Sequence, residues 1–194
     1  VNPLMPHTHG PSIPWSRIDA AIEQECPLLE VPDAPADTAM DAVAAQVAAL
    51  VPDHATLQLG LGRLQSAVLS ALRGRLGLRL HTGMVSDGLL GLIQAGALAP
   101  APDAVVAGVA LGTQALYQAV SGQVQFREVG HTHDAAVLRA IPRLHAINSA
   151  LSVDLLGQVN GEFLGGRQLS GVGGLPDFLR GARQAAAGRG IIAL

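Results

Sequence analysis

The stretch His145-Ala-Ile-Asn-Ser-Ala-Leu-Ser-Val-Asp-Leu-Leu-Gly-Gln-Val-Asn160, taken with Gly165-Gly-Arg-Gln-Leu-Ser-Gly-Val-Gly-Gly-Leu-Pro-Asp-Phe178, reads as strand, turn, strand and a glycine-rich loop that opens a helix. Residues 145–148 and 153–155 are the apolar runs, and Gly157 supplies the turn. The loop 170–174 holds three glycines and leads into Pro176 and Asp177, residue types suited to a first helical turn. Such a loop lets main-chain amides approach a ligand closely and gather round an anion or a developing oxyanion. By itself it is equally readable as a plain turn before a helix.

Working outward, strand and helix signals alternate. Asp37 caps a helix to about Leu50, with Met40, Val43, Ala44, Val47 and Leu50 as its apolar stripe. Residues 56–59 form a short buried strand ended by Gly60-Leu61-Gly62, and 64–73 are helical. Strand follows at 78–81, then a helix over 88–95 started by Ser86 and Asp87. Residues 104–110 form a continuous apolar strand of the kind buried on both faces. Helix 113–120, strand 123–127, helix 134–141, strand 145–148 and a last strand 190–194 complete the series. This alternation predicts an α/β fold, an open and mostly parallel sheet with helices on both faces. Ligands of such sheets sit beyond the carboxyl ends of the strands. Gly60-Leu61-Gly62, His81-Thr82-Gly83, the His131 region and 148–152 all fall there.

Residues 1–36 differ. They hold seven of the 12 prolines and five acidic residues against the single Arg17. Proline removes donors and disfavours helix before it, so an extended connector or docking arm is expected, followed by one α/β domain over 37–194. Residues 16–25 are the exception, a short helix with Ile18, Ala21 and Ile22 on one face.

Composition narrows the function. The 194 residues are 49% hydrophobic and 14% charged, with net charge −3. All 12 cationic residues are Arg and form no cluster, which argues against a nucleic-acid partner; the low aromatic content leaves no stacking platform for bases. No apolar run suits a bilayer, and no basic-plus-apolar leader is visible, so a soluble cytoplasmic protein without a membrane partner is expected. Cys26 is the lone cysteine. His7-Thr8-His9 and His131-Thr132-His133 place two imidazoles on one face if extended, but no further ligand cluster accompanies them, so no metal is expected.

Together these residues resemble the acetyl-CoA hydrolase/transferase family, class I CoA-transferases that include 4-hydroxybutyrate and acetate/succinate CoA-transferases. The resemblance is carried by Val1-Asn2-Pro3, Met5-Pro6, Thr8-His9-Gly10, Leu57-Gln58-Leu59-Gly60-Leu61-Gly62, His81-Thr82 and Ser86-Asp87-Gly88-Leu89. It continues through Ala110-Leu111-Gly112, Ile147-Asn148-Ser149-Ala150, Val153-Asp154-Leu155, Gly157-Gln158-Val159-Asn160, Ser170-Gly171-Val172-Gly173-Gly174 and Asp177-Phe178. It implies two similar α/β domains with the active site between them, of which this chain is the second; a partner polypeptide is expected to supply the first. It also implies coenzyme A or acyl-CoA as substrate, no permanently bound cofactor, and a glutamate that attacks acyl-CoA through an anhydride and a glutamyl-CoA thioester. Gly60, Leu61 and Gly62, with Gly171, Val172, Gly173, Gly174, Asp177 and Phe178, are then the residues that line the thioester and its oxyanion. Gln58, Gly83, His131, Asn148 and Asn160 are the expected substrate contacts.

Two positions depart from that pattern. Ser152 stands where the family has its nucleophilic glutamate, and Gly83 where an acidic residue usually follows His-Thr. A serine forms an ordinary ester, from which return of the acyl group to a weak carboxylate is unfavourable, so glutamyl-CoA ping-pong transfer is not expected. As a nucleophile Ser152 needs a base such as His131, His133 or His145; otherwise it fills the glutamate's site or contacts ligand. Glu162 is the nearest carboxylate, beyond the turn. Asp87 reads as a helix cap and Asp154 as structural. The expectation is an acyl-thioester transferase or hydrolase half with altered chemistry. Its rival is an inactive structural subunit that completes or scaffolds a heteromer.

Overall fold

The computed structural model describes residues 1–10 and 12–194. Short apolar segments become strands β1 (Thr56–Leu59), β2 (Arg79–Val85), β3 (Val105–Ala110), β4 (Gln125–Phe126) and β5 (Leu144–Ser149). Two exposed hairpins follow, β6 (Ser152–Val153) with β7 (Val159–Asn160), and β8 (Phe163–Leu164) with β9 (Arg167–Gln168). The last strand is β10 (Arg189–Ala193). One sheet runs β10-β5-β1-β2-β3-β4 with every pairing parallel.

Helices cover both faces. They are α1 (Thr38–Ala49), α2 (Arg63–Ala71), α3 (Gly88–Gln94), α4 (Gln114–Gln123), α5 (Val129–Thr132), α6 (Ala135–Ala140) and α7 (Leu175–Gln184). Strand alternation sends Leu57, Leu59, Leu80 and Ile147 into one core with Val47, Val68, Leu92 and Leu116 from α1 to α4. Leu144 and Ala146 face the other way, onto Leu138 of α6 and Phe178 and Ala182 of α7. Each such Leu or Phe contributes about 1.5–3 kcal/mol by leaving water. That same second face carries Gln58, His81, Gly83 and Asn148 at interleaved positions, so polar groups converge where the strands end.

The arm straps this scaffold. Phe126 N donates to His9 O (2.7 Å), and His9 bridges Gln125 at the sheet edge. Tyr117 Oη donates to Leu29 O (2.8 Å) and Gln114 N to Glu30 Oε2 (2.9 Å). Asp33 Oδ2 accepts from Ser66 Oγ (2.7 Å), Ser86 Oγ (3.0 Å) and Gly88 N (3.2 Å), tying α2 to α3.

Several expectations are corrected. Residues 16–25 are not a helix: only the 3-10 turn Trp15–Arg17 forms, and Ile22 is 78% exposed. The reason is competition, since Gln24 N donates to Val1 O (2.9 Å) and Asn2 holds Cys26, leaving the apolar face nothing to pack on. Asp37 does cap α1, accepting from Met40 N (2.9 Å). Asp87, however, makes no cap bond; it accepts from Thr113 N and Oγ1 (both 2.9 Å), and Asp33 takes Gly88 N instead. β2 runs on to Val85, beyond the expected end at His81. The strand expected at 123–127 shrinks to two residues because α4 extends through Gln123. The end of β3 is not buried on both faces, Val109 being 52% exposed. Strand 153–155 reduces to Ser152–Val153, because Asp154 Oδ1 turns the chain by accepting from Leu156 N (2.9 Å) and Gln158 N (2.8 Å).

Candidate functional site

Beyond the carboxyl ends of β1, β2 and β5 lies a crevice of about 660 Å³. Its floor is a reciprocal amide pair: Asn148 Nδ2 donates to Gln58 Oε1 (2.9 Å) and Gln58 Nε2 to Asn148 Oδ1 (3.4 Å). Both side chains are buried, so each amide satisfies the other. Gly60 and Leu61 form one wall, which Gln65 fastens: its nitrogen donates to Leu61 O (3.0 Å) while its oxygen accepts from Ser149 Oγ (3.0 Å) and N (3.2 Å). A Cβ at Gly60 would stand 3.2 Å from Asn148 Oδ1, and Gly62 holds φ +125, a conformation that favours glycine. The opposite wall is the 170–174 loop running into α7 with Leu175, Pro176 and Phe178. Gly173 turns it with φ +57. Gly83, Glu162 and His133 also line it.

The sites expected from sequence therefore divide. Gln58, Gly60, Leu61, Gly83, Asn148, Gly171, Val172, Gly173, Gly174 and Phe178 share this crevice. Gly62 lines a neighbouring hollow between α1 and α2, and Asp177 sits behind the loop in the first turn of α7. Asn160 does not line the crevice; it organises the hairpins, accepting from Glu162 N (3.1 Å) and Phe163 N (3.0 Å) and donating to Phe163 O (2.7 Å). Ser152 Oγ has one partner among the described residues, Asn160 Nδ2 at 3.1 Å.

The histidines are rearranged most. 131–133 is not a strand but the end of the turn α5. His131 packs on His81, with centroids 5.9 Å apart, and it is His133, two residues on, that reaches the crevice. His145 lies at the far, amino-terminal end of the sheet in a separate hollow with Arg75, Arg143 and Arg189, where it cannot serve as a base for Ser152. Burial lowers the His81 imidazole below its ordinary 6.5; the bond to Thr132 O (3.0 Å) opposes this, and His131 and His133 add to it. Glu162, the carboxylate beyond the turn, lines the crevice because the Asn160 turn folds it back. Nothing in strand or helix periodicity signals such a turn.

An open parallel sheet with glycine loops converging beyond its strand ends is the architecture of an α/β ligand-binding domain. The chain matches, over residues 112–194, the acetyl-CoA hydrolase/transferase C-terminal domain. It is 38% identical to the 4-hydroxybutyrate coenzyme A transferase of Clostridium kluyveri, over 100% of this chain and 47% of that protein. RipA from Yersinia pestis superposes with a TM-score of 0.87 at 32% identity, covering 98% of this chain and 44% of that one. The 4-hydroxybutyrate CoA-transferase of Porphyromonas gingivalis superposes at 0.85 and 31%, covering 98% and 47%. The chain thus spans about half the length of the relatives it matches.

Proposed function

We propose that this chain forms one half of an acyl-thioester site, of CoA-transferase or acyl-CoA hydrolase type, with acyl-CoA as substrate. The observation that carries the reading is the convergence of both glycine loops and the Gln58–Asn148 pair on one crevice. The backbone N–H groups of Leu61 and of 171–174 are the donors suited to a tetrahedral oxyanion. A partner polypeptide carrying the companion domain closes the crevice in this reading. Its support is the hairpin region, where Leu155 and Leu156 are almost wholly exposed and Phe163, Leu164, Leu169 and Val172 are at least half exposed. A contiguous apolar surface beside a crevice is what a packed interface covers.

Ser152 occupies the place that the family resemblance assigns to the nucleophilic glutamate, so we infer chemistry other than glutamyl-CoA exchange. Among the described residues Ser152 hydrogen-bonds only to an amide that cannot take a proton, so an activated serine is not favoured. The same observation favours the second reading, a subunit that shapes the crevice without turnover.

Intact-mass spectrometry of the purified protein, with any co-purifying chain, after incubation with acetyl-CoA and longer acyl-CoAs separates these. Free CoA without an adduct supports attack by water in the crevice. An acyl adduct on this chain that is lost in Ser152→Ala makes Ser152 the nucleophile, and an adduct on a partner moves the covalent step there. Absence of both an adduct and CoA release would overturn the enzymatic reading and leave the structural one.

A further inference from the structure

We propose that His133 is the general base of this crevice and that Gly83 and Gly174 are glycine to admit its imidazole. The inference rests on the acyl-thioester reading above. Two elements distant in sequence leave out a Cβ around the same ring. A Cβ at Gly83, on β2, would come within 3.1 Å of His133 Cε1 and 3.3 Å of Nε2. A Cβ at Gly174, at the start of α7, would overlap Nε2 and lie 2.7 Å from Cδ2. Phe178 closes the slot, with its ring centroid 4.7 Å from that of His133 at an interplanar angle of 58°.

The slot also orients the ring. Thr132 is fully buried and its hydroxyl donates to Glu128 O at 3.5 Å. With the single Thr132 hydroxyl hydrogen turned to Glu128 O, the imidazole is the donor in the 2.9 Å contact between Thr132 Oγ1 and His133 Nδ1. The proton then resides on Nδ1 and the lone pair on Nε2, the nitrogen beside the glycine loop. Nε2 has no hydrogen-bond partner among the described residues, and its ring lines the crevice. His81 secures the same turn by donating from Nε2 to Thr132 O at 3.0 Å, so His81 and Thr132 are positioning residues.

With a thioester in the crevice, a water placed between Nε2 and the carbonyl carbon gives its proton to Nε2 as its oxygen attacks. The carbonyl π pair moves to oxygen, where loop N–H groups hold it. Collapse re-forms the C=O bond and breaks C–S; the departing CoA thiolate takes the proton from Nε2. One acyl-CoA and one water become one carboxylic acid and one CoA thiol, and the imidazole is restored. Ionisable groups on the surrounding elements are Glu128, His131 and Asp134 beside His133, His81 on β2, Asp177 and Arg180 on α7, and Glu162 in the crevice wall.

The test follows thiol release from acetyl-CoA and butyryl-CoA across pH, with CoA binding measured in parallel, on the purified protein with any co-purifying chain. His133→Asn is expected to lower kcat by about 10²–10⁴-fold, to leave CoA binding unchanged and to abolish one limb of the pH–rate profile. Imidazole added to His133→Ala is expected to restore part of the rate. Thr132→Val, which keeps shape and removes the hydroxyl, is expected to lower kcat without raising KM, and serves if His133 variants misfold. Full thiol release by folded His133→Asn, with the pH profile intact, overturns the role of His133 while the acyl-thioester reading stands. Absence of both CoA binding and thiol release in the unaltered protein overturns that reading, and this inference with it.

Discussion

The two glycine loops look alike in sequence and serve opposite purposes. The loop at 60–62 is fastened: Gln65 grips Leu61 O, and Gly60 lies against the buried Asn148 amide. The loop at 171–174 is free along most of its length, a Cβ at Gly171 or Gly173 meeting nothing within 4 Å. Gly174 is crowded, by the His133 and Phe178 rings rather than by backbone. The first loop is thus part of the sheet's polar floor. The second is a short span between exposed hairpins and α7.

Substitutions at the anchors of each loop sharpen this contrast. The largest effect is expected at Phe178, which is 2% exposed and anchors the free loop to α7. Phe178→Ala should cost about 3–5 kcal/mol in denaturant unfolding. Asn148→Ala, under the fastened loop, leaves the buried Gln58 amide without its partner and should cost about 1–3 kcal/mol. Gly62→Ala forces a side chain into φ +125 and should cost about 1–3 kcal/mol. Gly171→Ala should change stability by less than about 0.5 kcal/mol, and a cost equal to that of Gly62→Ala would erase the distinction between the loops.

A pH effect is the subtler expectation. Burial lowers the His81 pKa in the folded chain, so the unfolded chain binds its proton more readily. Its contribution to stability is complete above 6.5 and is lost as pH falls from there toward the lowered native value. Unfolding measured at about pH 7.5 and about pH 5 should show this loss, and His81→Asn should diminish it.

How much was legible follows from the range of the interactions involved. β1, α1, α3 and β10 stand where apolar periodicity and turn residues set them, because local pattern and burial agree there. The convergence of the strand ends follows from topology alone, which brings Gly60, Gly83 and Asn148 to one crevice, whereas Gln58 is expected there only on the family resemblance. What failed depends on contacts between segments distant in sequence. The helix expected at 16–25 gave way to pairing with residues 1 and 2. Asp33, reaching across from the arm, took the cap assigned to Asp87. A two-residue offset decided which histidine enters the crevice, since a helical turn rather than a strand spaces His131 and His133. Glu162 was carried into the wall by an Asn160 side chain that accepts two backbone amides, an arrangement with no periodic signature.

The most direct measurement is amide hydrogen exchange of the purified protein with and without CoA. Slowed exchange at both 60–62 and 171–174, with the larger change in the free loop, is the predicted result. Slowed exchange confined to the Arg75, Arg143 and Arg189 hollow at the opposite end of the sheet would contradict it, as would no change at either loop.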